Sequence, residues 1–400
     1  MQKIQIKSYF RIWGASMQCN TRKHFCVRQK TIDEGIASLP PVQEFGEPIP
    51  PIDLFIGAAG FEERVLAVPN SLKEMGVHIT GACLLAQYRT NQSENTARLA
   101  TLQPQLEELG GTVKFFDGDS PAQTKNSIDT EISALDSESN NHVVFDVSGA
   151  SSKLIFSVLA SLFATPRSLK LTLLYTEAIQ YHEPDPKNRN TPILDWGDED
   201  LREYGVAEVE YNELYKGMHQ DHLPGYVVAF PSMFPNRLQR CLSHLGVTPL
   251  SSPKSTVHWV IPATPSAEHQ WRGVQTMNCL YDLFYADPNQ TPESKEIPAG
   301  IYTNCDVFDY IQSIKIVMEQ IERLDGQANL SLIHMGTKLQ AVGAAIALAA
   351  RPEMALVSSR PNSFAAHRYS KGAGKILVIK FQSQLSIIQV LAGIGSLEIA

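Results

Sequence analysis

The sequence predicts an α/β protein made of two tandem Rossmann-like domains with mainly parallel sheets. Three observations carry this. Short apolar runs alternate with amphipathic stretches of about 10–15 residues, the grammar of βαβ units. The alternation stops in a polar, turn-rich, acidic stretch over residues 183–205 and then begins again. Each half opens with an apolar strand running into a turn and a helix, and each has a fourth strand feeding a Gly/Ser/Thr turn that ends in Lys. The boundaries that follow are a basic, proline-rich extension over 1–51, a first domain over 52–220 and a second over 224–400. One large α/β domain with a long insertion is the alternative.

In chain order, residues 38–51 hold five prolines and read as an extended linker, because proline neither donates to a ladder nor continues a helix. Strands are expected over 53–56, 79–86, 113–116, 143–147 and 170–175, with helices over 62–74, 91–109, 122–135 and 152–163 between them. In the second half the expected strands are 226–230, 257–261, 299–303, 330–334, 355–358 and 376–381. The expected helices there are 236–244, 268–284, 307–323 and 338–350, and the chain ends in an apolar stretch over 385–400.

Composition bounds the function. With 43% apolar and 19% charged residues the chain is globular rather than disordered. A net charge of −8 supplies no overall field for holding duplex nucleic acid. The longest apolar run, 341–350, has ten residues, against the roughly 18 that a membrane-crossing helix needs. Six cysteines without a CxxC pair argue against a disulfide framework or a thiolate zinc site, and for a cytoplasmic location. The first 30 residues carry seven Lys/Arg and no acid, and read as a basic extension rather than a targeting sequence.

Ligands of open parallel sheets sit beyond the carboxyl ends of the strands, where helix N-termini favour anions. Four turns matter on that logic. The first, Gly57-Ala58-Ala59-Gly60-Phe61-Glu62-Glu63-Arg64, places two glycines before a charged first helical turn. It is neither GxGxxG nor a P-loop. The second, Asp146-Val147-Ser148-Gly149-Ala150-Ser151-Ser152-Lys153, offers hydroxyls, a glycine and a lysine at a helix start. The third, His334-Met335-Gly336-Thr337-Lys338, repeats glycine, hydroxyl and lysine at the equivalent place, with His334 as candidate acid–base. The fourth runs from Ser358 to Lys375 and alternates Arg360, Arg368, Lys371 and Lys375 with Tyr369, His367 and glycines, suited to closing over a phosphorylated or base-bearing ligand. Each has a plainer reading as well: charged helix starts in solvent, Asp and Ser as helix caps, a structural histidine, a surface loop. No HExxH, no Cys/His cluster and no GxSxG elbow occurs, so no metal or cofactor is expected.

The lysine-ended turns are similar to the ligand motif of CRISPR-associated Rossmann-fold sensor domains and of the related double-Rossmann sensors of cyclic-nucleotide antiviral systems. Asp146 and Ser148 match the first polar and hydroxyl positions, and Lys153 the basic end, one residue late. Gly336, Thr337 and Lys338 match the end of the motif in the second half, where His334 stands in place of Ser/Thr. The resemblance implies a sensor that holds a cyclic oligonucleotide between paired sheets, as a stand-alone module, a subunit of an effector complex or a ligand-degrading member. The expected partners are an anionic nucleotide-type ligand, an effector subunit or a second copy of the chain, and no membrane. An enzyme acting on a nucleotide or sugar phosphate through His334, Asp146 or Glu62, and a non-catalytic subunit, are the competing readings.

Overall fold

The computed structural model describes residues 30–136, 140–181, 188, 193–197, 200–247, 256–286 and 297–393. Most of the basic N-terminal extension, parts of the 183–205 stretch and the last residues, 394–400, lie outside the described residues. The chain is α/β with two mixed sheets. The first carries five parallel strands: β2 (Ile52–Ala58), β3 (Ile79–Gln87), β4 (Thr112–Asp117), β5 (His142–Asp146) and β6 (Lys170–Thr176). The second repeats the set with β10 (Gly225–Phe230), β11 (Val257–Ala263), β12 (Tyr302–Asp306), β13 (Asn329–His334) and β14 (Ala355–Arg360). Their spatial orders are β6-β5-β2-β3-β4 and β12-β11-β10-β13-β14. Counted within each half, both are the doubly wound order in which the first and fourth strands are neighbours, the coarse Rossmann-like arrangement.

Antiparallel additions depart from the purely sequential layout expected of tandem domains. Strand β17 (Ile376–Phe381), expected to close the second half, instead pairs antiparallel with β6 in the first sheet, and β1 (Gln43–Glu44) pairs with β17 beyond it. In return β9 (Glu208–Lys216), which lies on the first half's side of the expected boundary, pairs antiparallel with β14 in the second sheet. Each sheet thus takes a strand from the other's stretch of sequence. Nor is 38–51 a free linker. A helix over 30–37 precedes it, and Ile32, Leu39, Phe45 and Ile49 are buried.

Strand periodicity explains the layers. Leu54, Ile56, Val143 and Phe145 alternate with Phe55 and Val144, so each strand is apolar on both faces, as a sheet covered on both sides requires. The outer face of the first sheet is covered by α1 (Ala67–Glu74) and α2 (Gln92–Glu108). That of the second is covered by α5 (Asn236–His244) and α6 (Gln270–Phe284). The inner faces of both sheets share one core with α3 (Pro121–Ala134), α4 (Ser152–Ala164), α7 (Tyr310–Leu324) and α8 (Lys338–Ala350). Helix α8 is rich in Ala and buried on every side, so neighbours approach it closely. A Cβ on its Gly343 would lie 2.1 Å from the Tyr310 carbonyl oxygen of α7. Helices α4 and α8, which follow the fourth strand of each half, pack against each other. The hydroxyl of Tyr215 in β9 lies within hydrogen-bond distance of Phe156 O in α4 (3.1 Å) and Ala345 O in α8 (3.4 Å). No helix among the described residues is long and apolar enough to cross a membrane.

Candidate functional site

Where the strand order reverses, between β2 and β5 in the first sheet and between β10 and β13 in the second, the carboxyl ends of the strands meet the N-termini of α4 and α8. The two reversal points face each other. Lys338, the first residue of α8, donates its ammonium to the Ala150 carbonyl just ahead of α4 at 2.9 Å and lies 3.9 Å from the Glu62 carboxylate. His334, at the end of β13, reaches across to Ser152: Nδ1 lies 3.2 Å from its hydroxyl. The second and third turns of the sequence therefore converge, with the first beside them.

The first turn holds a buried ion pair rather than a solvated helix start. Arg64 is 3% exposed, and its Nη2 lies 2.8 Å from Oε1 and 2.7 Å from Oε2 of Glu62. Nη1 donates to the Tyr175 hydroxyl and to Thr176 O, both at 3.2 Å. Ser370, from the fourth turn, donates its hydroxyl to Glu62 at 2.5 Å, and the Gly372 N–H donates to Glu63 at 2.9 Å. Tyr369 packs edge-on against Phe61, with ring centroids 5.5 Å apart.

The second turn is shaped by its own polar groups. Asp146 Oδ1 accepts from Ser148 N at 2.9 Å, the Ser148 hydroxyl accepts from Thr176 N at 2.8 Å, and Ser151 caps α4 by accepting from Leu154 N at 3.2 Å. Gly149 is required by close packing, since a Cβ there would lie 2.8 Å from the Ala58 carbonyl oxygen; Gly60 lies against Gly149 in turn. Tyr88 ties this turn down, donating its hydroxyl to Gly149 O (3.2 Å) and accepting from Ser151 N (2.8 Å). In the third turn Gly336 sits beside Gln340. The Thr337 N–H donates to Gln340 Oε1 at 3.0 Å, and its hydroxyl donates to Val307 O at 2.8 Å.

Several expected contacts lie elsewhere. Lys153 pairs with Glu210 of β9, Arg360 lies 3.5 Å from Glu208, and Arg368 donates to the Tyr204 hydroxyl at 3.2 Å. Lys371 is exposed, and Gly57 is embedded in β2 beside Leu85 of β3. The residues missed in the sequence are Tyr88, Ser152, Tyr175, Thr176 and Ser370. Ser152 and Ser370 stood within turns already singled out, though not as contacts; Tyr88, Tyr175 and Thr176 come from the ends of strands.

Burial governs the protonation states. It pushes the His334 imidazole down to about 3, so this ring, packed against Phe156 and Phe230, is neutral at ordinary pH and a weak base. Burial, and then the Arg64 guanidinium, pushes Lys338 down to about 8. Burial opposes ionisation of Glu62, yet Arg64 and Lys338 together with hydrogen bonds from Arg64 and Ser370 hold its carboxyl below the usual range. Asp146 is pushed up to about 6 by burial. Its folded state therefore binds a proton more tightly than the unfolded chain between about pH 4 and pH 6, so stability falls as pH rises through that window and the penalty persists above it. Asp146→Asn, which keeps the acceptor for Ser148 N, should flatten that slope and melt at or above the parent's temperature at pH 8. Thermal melts from pH 4 to pH 8 check this; an unchanged slope assigns the dependence to other groups.

Among the described residues no three His, Cys, Asp or Glu side chains cluster as a metal site. No protein-family model and no curated protein matches the chain. Among solved structures, the chain is 7% identical to the cytoplasmic domain of a prokaryotic cation chloride cotransporter. That match covers 77% of this chain and 95% of the other, at a TM-score of 0.23, too low to carry an argument.

Proposed function

We propose that the chain is a ligand-sensing module that takes an anionic, nucleotide-type ligand at the joint between the two sheets. The observation that carries this is Lys338, whose ammonium leaves the second sheet's turn and lies against Ala150 O and Glu62 of the first. A lysine opening a helix opposes the helix dipole, and this one stands beside a second helix N-terminus and a buried arginine. Burying that ammonium costs folding free energy even with Glu62 beside it, which favours a role in binding over one in stability. The likeness of the turns to cyclic-oligonucleotide sensors makes such compounds the first probes to try. The neutral, weakly basic His334 disfavours the enzyme reading that uses it as acid–base.

The test is calorimetric titration of the full chain with a cyclic tetranucleotide and with ATP, alongside mass spectrometry of whatever co-purifies. Lys338→Ala should weaken binding by about 1–3 kcal/mol, the range for a charge-assisted hydrogen bond, without lowering the melting temperature. Equal affinities in parent and variant, or no binding of either probe, would overturn the reading.

A further inference from the structure

We propose that the Glu62 carboxylate holds the place of a ligand's phosphate, and that a phosphate-bearing ligand binds by displacing it from Arg64 and Lys338, unlatching the Ser370–Gly372 stretch of the fourth turn. This rests on the ligand-binding reading above and adds how the site is gated.

Glu62 is held as a bound oxyanion would be. Both its oxygens meet Arg64 Nη2, at 2.8 and 2.7 Å; the Lys338 ammonium lies at 3.9 Å; and the Ser370 hydroxyl donates at 2.5 Å. The cations come from both halves of the chain and the hydroxyl from the far loop, so the carboxylate occupies the point where three turns meet. Arg64 does not need Glu62 to keep its position, because Nη1 is fixed separately by Tyr175 and Thr176 O. The guanidinium is therefore preorganised for whichever oxyanion occupies its Nη2 side.

A second observation points the same way. Arg64 Nε and the Thr176 hydroxyl are buried with no hydrogen-bond partner among the described residues, and Thr176 adjoins Arg64 through its carbonyl. A buried polar atom left without a partner is costly. A carboxylate has two oxygens; a phosphate brings additional ones to meet these donors. Displacement would also reach the loop. The fourth turn meets the first through the rings of Phe364 and Tyr369 on Phe61, and its Ser370–Gly372 stretch is fastened there by Ser370 on Glu62 and by Gly372 N on Glu63. Losing the Ser370 contact loosens the two-residue pairing of β16 (Ser370–Lys371) with β7 (Gln180–Tyr181).

Inorganic phosphate is the probe, titrated into the full chain at pH 7. Glu62→Ala leaves two buried cations without their carboxylate and should be destabilised. It should bind phosphate about ten-fold or more tightly than the parent and regain melting temperature as phosphate is added. Ser370→Ala, which leaves every charge paired and should fold like the parent, is expected to gain a few-fold in phosphate affinity. Trypsin cleavage after Lys371 should accelerate in the parent when phosphate saturates it. The proposal falls if Ser370→Ala and a folded Glu62→Ala bind phosphate no better than the parent, or if cleavage after Lys371 does not respond. If, in that case, nucleotide still binds the parent and Lys338→Ala still weakens it, the ligand site stands and only the stand-in role of Glu62 is lost. If neither phosphate nor nucleotide binds any form, both readings fall.

Discussion

Arg64→Met should destabilise the protein by about 3–5 kcal/mol, the cost of leaving a buried carboxylate without its partner. Among the described residues, Glu62 keeps the Lys338 ammonium at 3.9 Å and the Ser370 hydroxyl once the guanidinium is gone. Adding Glu62→Gln to Arg64→Met should recover most of that loss, because the buried charge is removed along with its partner. Denaturant titration of the two single variants and the double variant closes the cycle. If the double variant is as unstable as Arg64→Met alone, the loss comes from the contacts of Nη1 with Tyr175 and Thr176 rather than from the ion pair.

A fragment ending at residue 220, the boundary read from the sequence, should fail to give a monomer that unfolds cooperatively. It would lack β17, whose residues Ile376 to Phe381 pair along the whole outer edge of β6 from Thr176 to Leu171. It would also lose Val378, Ile379 and Phe381 from the core. At about 1.5–3 kcal/mol per fully buried apolar side chain, those three alone approach the total stability of a typical domain, roughly 5–15 kcal/mol. The fragment would further carry β9 without β14 and expose the edge of β6, an invitation to pair with other chains. Size-exclusion chromatography and a thermal melt decide it. A monomeric fragment with a sharp transition would show that the strand exchange is dispensable.

Local signals served the sequence reading best. The helices Asn236–His244 and Lys338–Ala350 and the strand Ile376–Phe381 have the ends expected of them, because each is a run of one periodicity bounded by a turn. The strand expected at 299–303 begins three residues later, at Tyr302, since Gly300 takes a φ of 89° in the preceding turn. Strand β9 carries only a partial strand signal, with Val209 and Tyr211 alternating with Glu208 and Glu210. Its register on β14 shifts between Ala355 and Val357, where Tyr211 and Lys216 are the flanking partners, and the shift breaks the period. That β17 joins the first sheet was not legible at all, because pairing across such a separation leaves no mark in either segment.

For the site, the glycine–hydroxyl–lysine turns and the one-residue offset of Lys153 were legible, but where that offset sends the side chain was not. Lys338 directly follows its cap residue, Thr337, and faces the joint; Lys153 follows its cap, Ser151, one position later, with Ser152 between. One residue turns a helix by about 100°, which carries Lys153 away to Glu210. The burial of Glu62 and Arg64 was not legible. Charged residues at a helix start usually face water, and what covers these is Ser370, some 300 residues further along the chain.

The strand exchange also sets a timetable for the nascent chain. Strand β6 ends at Thr176 and its partner β17 begins at Ile376, 376 − 176 = 200 residues later. At about 5–20 residues per second, the ribosome takes roughly 10–40 seconds to deliver the one after the other. Local helical events finish within microseconds, so helices and partly paired strands of the first half form long before their edge is covered. During that interval β6 presents Leu171, Leu173 and Tyr175, all buried in the finished protein, on an unpaired border. Synthesis speed between those two points, and any chaperone that shields a β-edge while it waits, therefore bears directly on the yield of folded protein.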